Sequence, residues 1–197
     1  MASTNNPRGF VEHRHLGNGV PVTRRYRVKE NGNPHQIYKG DPVVLVSGNT
    51  VTRLGTLATA AQVPVLGIAR AVYDSNEKPF THSQPSRGPY LPASTAGFVD
   101  VNIDPLQTYL VNTDATVVST MIGQYVEHTA GTPNTAAGIS GMHIETSGAS
   151  NTAAASLPFQ VISLGDDNWD GFVGGEANQD VEVVLATQAF RNSNKVR

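Results

Sequence analysis

Four residues with oxygen or turn chemistry at close spacing raise the question of a metal. In the stretch DDNWDG, Asp166, Asn168, Asp170 and Gly171 fall at positions 1, 3, 5 and 6 of a D-x-[DN]-x-[DN]-G loop, the pattern whose staggered oxygens wrap a calcium ion. The twelfth position of such a loop holds a bidentate Glu. Here it is Ala177, with Glu176 one residue early, and the flanks read as strands where a calcium loop has helices. Asp and Asn before Gly are also ordinary turn formers, so the same residues spell a hairpin turn with Trp169 as a packing residue. The turn is the stronger reading.

The six histidines give less. His13 and His15 face the same side of an extended chain, which is a possible metal pair. The chain has no cysteine, and no third ligand stands at a recognised spacing, so they read as solvated residues beside Arg14. There is no G-x-S-x-G elbow, no phosphate-binding glycine loop and no H-E-x-x-H. Asp100, Asp104 and Glu127 are carboxylates without a spacing that pairs them for glycoside chemistry. Trp169, Tyr90 and Tyr125 are of a type that stacks on sugars, but they read more readily as core or rim aromatics. The expectation is a protein with no catalytic residues, no cofactor and no metal.

The elements that would position these groups are strands. Charged residues make up only 15% of the 197 residues, and Gly, Pro, Ser, Thr, Asn and Ala are abundant, which is the composition of a turn-rich β protein. PVVLVSGNTVTRL sets a β-branched run, Gly48-Asn49 and an alternating run side by side, and this predicts a tight hairpin. VPVLGIARAVY predicts a buried strand in which Gly67 marks a bulge or a close backbone approach. VPVTRRYRV, HQIY, FVDVNI, TYLVNT, QYVEHT, MHIETS, LPFQVISL and VEVVLATQAF complete a set of short strands. DATVVSTMIGQ is the one helix candidate, with Asp114 as its N-cap and Val117, Val118 and Met121 on its apolar side. Short strands with turns at this frequency predict a mostly β fold, an antiparallel β-sandwich or barrel, jelly-roll-like or β-tulip-like.

Around that body the sequence predicts appendages. Residues 1–19 read as an extended N-terminal arm, because Phe10, Val11 and Leu16 show neither strand nor helix period. Residues 20–190 read as one β-rich domain with long loops at 74–97 and 129–156, and 191–197 as a basic tail. Phe80, Tyr90 and Leu91, in the proline-rich loop, are candidate anchors on a partner. No apolar run is long enough to span a membrane, and no apolar stretch of a secretory signal follows the first arginines.

Charge is unevenly spread. Residues 1–87 carry eleven Lys/Arg against five Asp/Glu, residues 88–190 carry eleven Asp/Glu and no Lys or Arg, and the tail adds three cations. Either the basic ends fold onto their own acidic body, or they reach an acidic neighbouring subunit. Nucleic-acid binding is the weakest reading, because an acidic body repels phosphate.

Two stretches carry a resemblance. MASTNNPRGF resembles the opening of many tailed-bacteriophage virion proteins. The run GDPVVLVSGNTVTRL…VPVLGIARAVY looks like the hairpin and following strand of phage head decoration, or cement, proteins, and VEVVLATQAF is similar to their closing strand. The resemblance implies a non-enzymatic virion protein on the outer surface of the capsid, made in the host cytoplasm. It implies binding to the major capsid protein, stabilisation of contacts between its subunits, and a homo-oligomer, with a trimer favoured over a dimer. Arg8, Arg14, Arg24 and Arg25 would then pair with capsid carboxylates, and Phe10, Val11 and Leu16 would anchor the arm. A jelly-roll glycan-binding protein, a fibre-base or shell component, and an enzyme of another kind are the competing expectations.

Overall fold

The computed structural model describes residues 8–17, 19–30, 34–46, 48–55, 64–80, 88–152, 157–164 and 179–186. The chain is mostly β, as expected. Eleven strands run in order: β1 Val11–His15, β2 Thr23–Val28, β3 Pro42–Val46, β4 Thr50–Arg53, β5 Val65–Asp74, β6 Gly97–Asn102, β7 Gln107–Asn112, β8 Tyr125–Ala130, β9 Met142–Ser150, β10 Phe159–Leu164 and β11 Asp180–Leu185. Strands β2-β4-β3-β5-β6 close into a barrel, and β1-β7-β11-β10-β8-β9 form a six-stranded sheet.

These two halves share one topology. In the barrel the first strand meets the third in parallel (Arg27 with Thr50). The third then pairs the second, the second the fourth, the fourth the fifth and the fifth the first, all antiparallel. Strands β7 to β11 repeat this sequence of antiparallel pairings. The parallel contact recurs as well, as the bridge between Thr113, just past β7, and Ile144 of β9. Strand β1 is added at the edge, antiparallel to β7.

The local signals explain the elements. The β3–β4 hairpin forms where the Gly48-Asn49 turn predicts, with Leu45 opposite Val51, and both turn residues take positive φ (78° and 57°). Gly67 lies where β5 crosses Asn102 so closely that a Cβ atom would sit 2.1 Å from that residue's carbonyl oxygen. Strands β3 and β5 are apolar on both faces because both faces are buried. Val43 and Leu66 point into the barrel, while Val44, Val65 and Ile68 pack against the sheet with Val111, Phe159 and Val183. They form a wall shared by two cores, and an unbroken apolar run is what such a strand needs.

Three expectations are corrected. The helix over 114–124 is a single 3₁₀ turn, Ser119–Met121. Thr116, Val117, Val118 and Thr120 are β-branched and stiff at χ1 against a helical turn, and the Asp114 carboxylate bonds Thr146, in β9, and caps no helix. Second, residues 8–17 are not a coreless arm. Phe10 is 2% exposed, stacked on Phe159 at 4.4 Å and edge-on to Tyr109 at 6.5 Å. Residues 11–15 are a strand of the sheet.

Third, parts of both expected loops are core. Phe80 and Leu91 are buried in the barrel cluster, and Leu91 exchanges backbone hydrogen bonds with Ile37. Strand β9 crosses the 129–156 region and buries Met142 and Ile144. The DDNWDG stretch with Asp166, Trp169 and Asp170, and the tail 191–197, lie outside the described residues.

Truncating a stacked, buried Phe typically costs about 3–5 kcal/mol, and trimming a half-exposed valine costs about 0.5 kcal/mol or less. Urea unfolding is therefore expected to show Phe10→Ala less stable than the parent by about 3 kcal/mol or more, with Val11→Ala close to the parent. Equal midpoints for the two variants would place Phe10 outside the core.

Candidate functional site

The residues singled out by sequence separate into three groups. The first has turned inward. Phe10 and Phe80 are core residues, 2% and 7% exposed, so neither presents its ring to a partner. Tyr90 is half-buried, its ring stacked on Tyr38 at 4.8 Å.

The second group has found acidic partners within the chain. Arg14 forks onto Glu182, with Nε 2.7 Å from Oε1 and a terminal nitrogen 2.5 Å from Oε2, and Glu182 is 2% exposed. Arg8 pairs with Asp180. Arg25 forks onto Asp100 at 2.7 and 3.1 Å, reaches Glu77 at 3.1 Å, and lies over the Tyr73 ring at 4.0 Å. The Asp100 hydrogen bonds raise the Arg25 pKa and hold the Asp100 carboxyl below its ordinary range. Arg70 Nε stands 3.6 Å from Glu12. For Arg8, Arg14 and Arg25, the basic first part of the chain folds onto its own acidic body. A capsid carboxylate would therefore share these guanidiniums with Asp180, Glu182 and Asp100.

The third group remains on the surface. Val11 is 40% and Leu16 55% exposed, and Arg24 is exposed beside Tyr26, 5.7 Å from its ring. Sequence reasoning missed their neighbours. Val20, Val22 and Leu106 are 88%, 53% and 42% exposed. Leu106 accepts the Leu16 amide through its carbonyl, and Ile103 donates to the Val22 carbonyl. Leu16, Val22 and Leu106 therefore crowd one end of β1 as an exposed apolar patch. The signal that would find Leu106 is a single apolar residue in a turn, Asp104-Pro105-Leu106, where burial gives no reason for it.

Asp104 organises that end. Its carboxylate accepts the Val22 amide at 3.1 Å and the Leu106 amide at 2.9 Å, and Oδ2 lies 3.2 Å from His15 Nε2. Burial pushes Asp104 upward, but those donors outweigh it and its pKa falls below the usual range. His15 is raised, chiefly by the Gly17 carbonyl, with Asp104 adding to it. Asp100 and Asp104 thus serve as hydrogen-bond acceptors that hold strands together. Glu127 faces Glu145 across the β8–β9 register, and burial with that like charge raises its pKa. Among the described residues, no three His, Asp or Glu side chains converge on a possible metal position. No protein-family model, curated protein or solved structure matches the chain.

Behind the surface, two buried polar links tie barrel to sheet. Asp41, before β3, accepts the Ser140 hydroxyl at 2.5 Å and the Tyr38 amide at 2.8 Å. His128, on β8, donates from Nε2 to the Gly55 carbonyl at 3.2 Å, which leaves Nδ1 unprotonated and without a partner. Both side chains are 0% exposed. Burial lifts Asp41 to about 6 and lowers His128 to about 4.

The two shifts oppose each other in pH. Between the ordinary carboxyl range and pH 6 the folded protein holds the Asp41 proton that the unfolded chain releases, so this term loses stability as pH rises through that window. Between pH 4 and the ordinary imidazole range the unfolded chain holds the His128 proton that the fold rejects, so this term gains stability as pH rises. Each amounts to about 3 kcal/mol at 1.4 kcal/mol per pKa unit, and over pH 4 to 6 they nearly offset. Relative to the parent, Asp41→Asn is expected to lose stability on acidification from pH 6 to 4, and His128→Gln to gain it. Urea midpoints at each pH check this, and parallel curves for all three proteins would contradict it.

Proposed function

We propose that this chain is a non-enzymatic structural protein of a phage virion, a decoration or cement protein that binds the outside of the head and braces contacts between major capsid subunits. The observation that carries the proposal is the surface at the β1 end of the sheet. There an edge strand with no second strand partner among the described residues lies beside exposed Val11, Leu16, Val22 and Leu106, with Arg24 on the neighbouring β2. Such a surface matches the demands of fastening: apolar area to bury, main-chain groups to add to another sheet, and a cation at the margin.

The resemblance of MASTNNPRGF to the opening of tailed-phage virion proteins, and of the β3–β5 sequence to decoration proteins, supports the same reading. A decoration protein works as a homo-oligomer, and a trimer suits local threefold positions on a shell. Several copies of a weak patch then bind with an avidity that no single patch has.

The surface differs from the arm that the sequence suggests, and the test changes with it. Deleting residues 1–20 would remove Phe10 and β1 along with any docking surface, so point substitutions are needed. Leu16→Asp combined with Val22→Asp is expected to leave the unfolding midpoint near the parent's. It is expected to cut cosedimentation with expanded, undecorated phage heads at least tenfold. Light scattering of the protein alone gives the oligomer mass. A parent protein that neither self-associates nor sediments with heads would end the proposal.

A further inference from the structure

A groove of about 380 Å³ runs along the seam between the halves, on the barrel side of β1. Its apolar lining includes Val11 of β1, Ile68 of β5 and Ile139. Arg8, Lys39 and Arg70 stand around it. Glu12 also lines it, but its carboxylate is already engaged, accepting from Asn102 Nδ2 at 2.8 Å and lying 3.6 Å from Arg70. Arg8 is paired with Asp180, yet its side chain is 47% exposed, and that of Arg70 is 51% exposed, so both guanidiniums keep faces toward solvent. Lys39 is exposed, and no carboxylate of the described residues stands within ion-pair distance of it.

We infer that this groove is a docking site for an extended acidic polypeptide segment that alternates carboxylates with aliphatic side chains. Three independent features select that occupant. The apolar lining calls for aliphatic groups, which a phosphate or a sugar does not supply. Three cations against two engaged carboxylates, Glu12 in the lining and Asp180 on Arg8, leave a net positive charge that calls for a negative one. Strand β1 ends the sheet order, with β7 as its one strand partner among the described residues, so a segment lying along its open side can add a strand through main-chain hydrogen bonds. In an added strand, alternate side chains face opposite ways, which sends aliphatic groups to the lining and carboxylates toward Arg8, Lys39 and Arg70. The inference deepens the fastening reading by naming the partner's chemistry, and it is tested without phage heads, so its failure leaves that reading to the sedimentation assay.

The probe is a fluorescein-labelled eight-residue peptide alternating Glu and Val, titrated into the full chain and followed by anisotropy. Saturable binding that weakens as salt rises is expected. Lys39→Glu, at an exposed position with no ion pair among the described residues to lose, is expected to weaken it at least tenfold with an unchanged unfolding midpoint. An alternating Lys-Val peptide, or the Glu-Val peptide N-methylated on the main-chain nitrogens that face β1, is expected not to bind. Absence of saturable binding by the Glu-Val peptide would overturn the inference, as would equal binding by Lys39→Glu. Undiminished binding of the N-methylated peptide would overturn the strand-addition mode.

Discussion

The carboxyl of Asp41 is the constraint on which the two halves' arrangement depends. It lies with no solvent exposure at the entrance to β3, and its two oxygens answer two different halves of the molecule. One accepts the Tyr38 amide of its own approach to the barrel, and the other accepts the hydroxyl of Ser140, which leads into β9 of the sheet. Neighbouring backbone follows this alignment. The Ser140 amide donates to the Lys39 carbonyl, the Phe10 amide to the Gly40 carbonyl and the Gly40 amide to the Ala69 carbonyl. A buried polar group without partners is costly, so a seam of this kind tolerates one register and penalises others. The placement of Phe10 follows: its amide belongs to the seam, and its ring belongs to the sheet core beside Phe159.

How far the sequence announced this depends on whether a signal is local. The β3–β4 hairpin and the tight crossing at Gly67 were legible because turn chemistry and β-branched runs act between near neighbours. The burial of Phe10 was not, since its stacking partner lies almost at the other end of the chain and one ring between Gly9 and Val11 has no period. Phe80 and Leu91 were misread as partner anchors for a different reason: proline-rich surroundings look like loop, although Phe80 folds back onto Val72 of β5 and Leu91 pairs with Ile37, so both fill the barrel core. The uneven charge distribution foretold that basic and acidic parts would meet. It could not tell that Arg14 would choose Glu182 within the same chain. The patch at Leu16, Val22 and Leu106 was illegible because its members come from three separate segments, brought together by Asp104.

The shared topology of the halves was equally hidden. No stretch of β2–β6 repeats in β7–β11 as sequence, yet both sets pair in one order, down to a single parallel contact between first and third strands. Pairing order is set by which faces must be buried, and many sequences satisfy one such pattern. Strand β1 falls outside the shared order, and it is β1 that borders both the exposed patch and the groove.

Strand β3 and the first half of β5, Val65–Ala69, bury both faces, and this ties the two halves together. Cut from its neighbour, either half would present a greasy plane to water, since Val44, Val65 and Ile68 of the barrel share one core with the sheet. Melting one half strips the cover from the other, which couples the unfolding of the two halves.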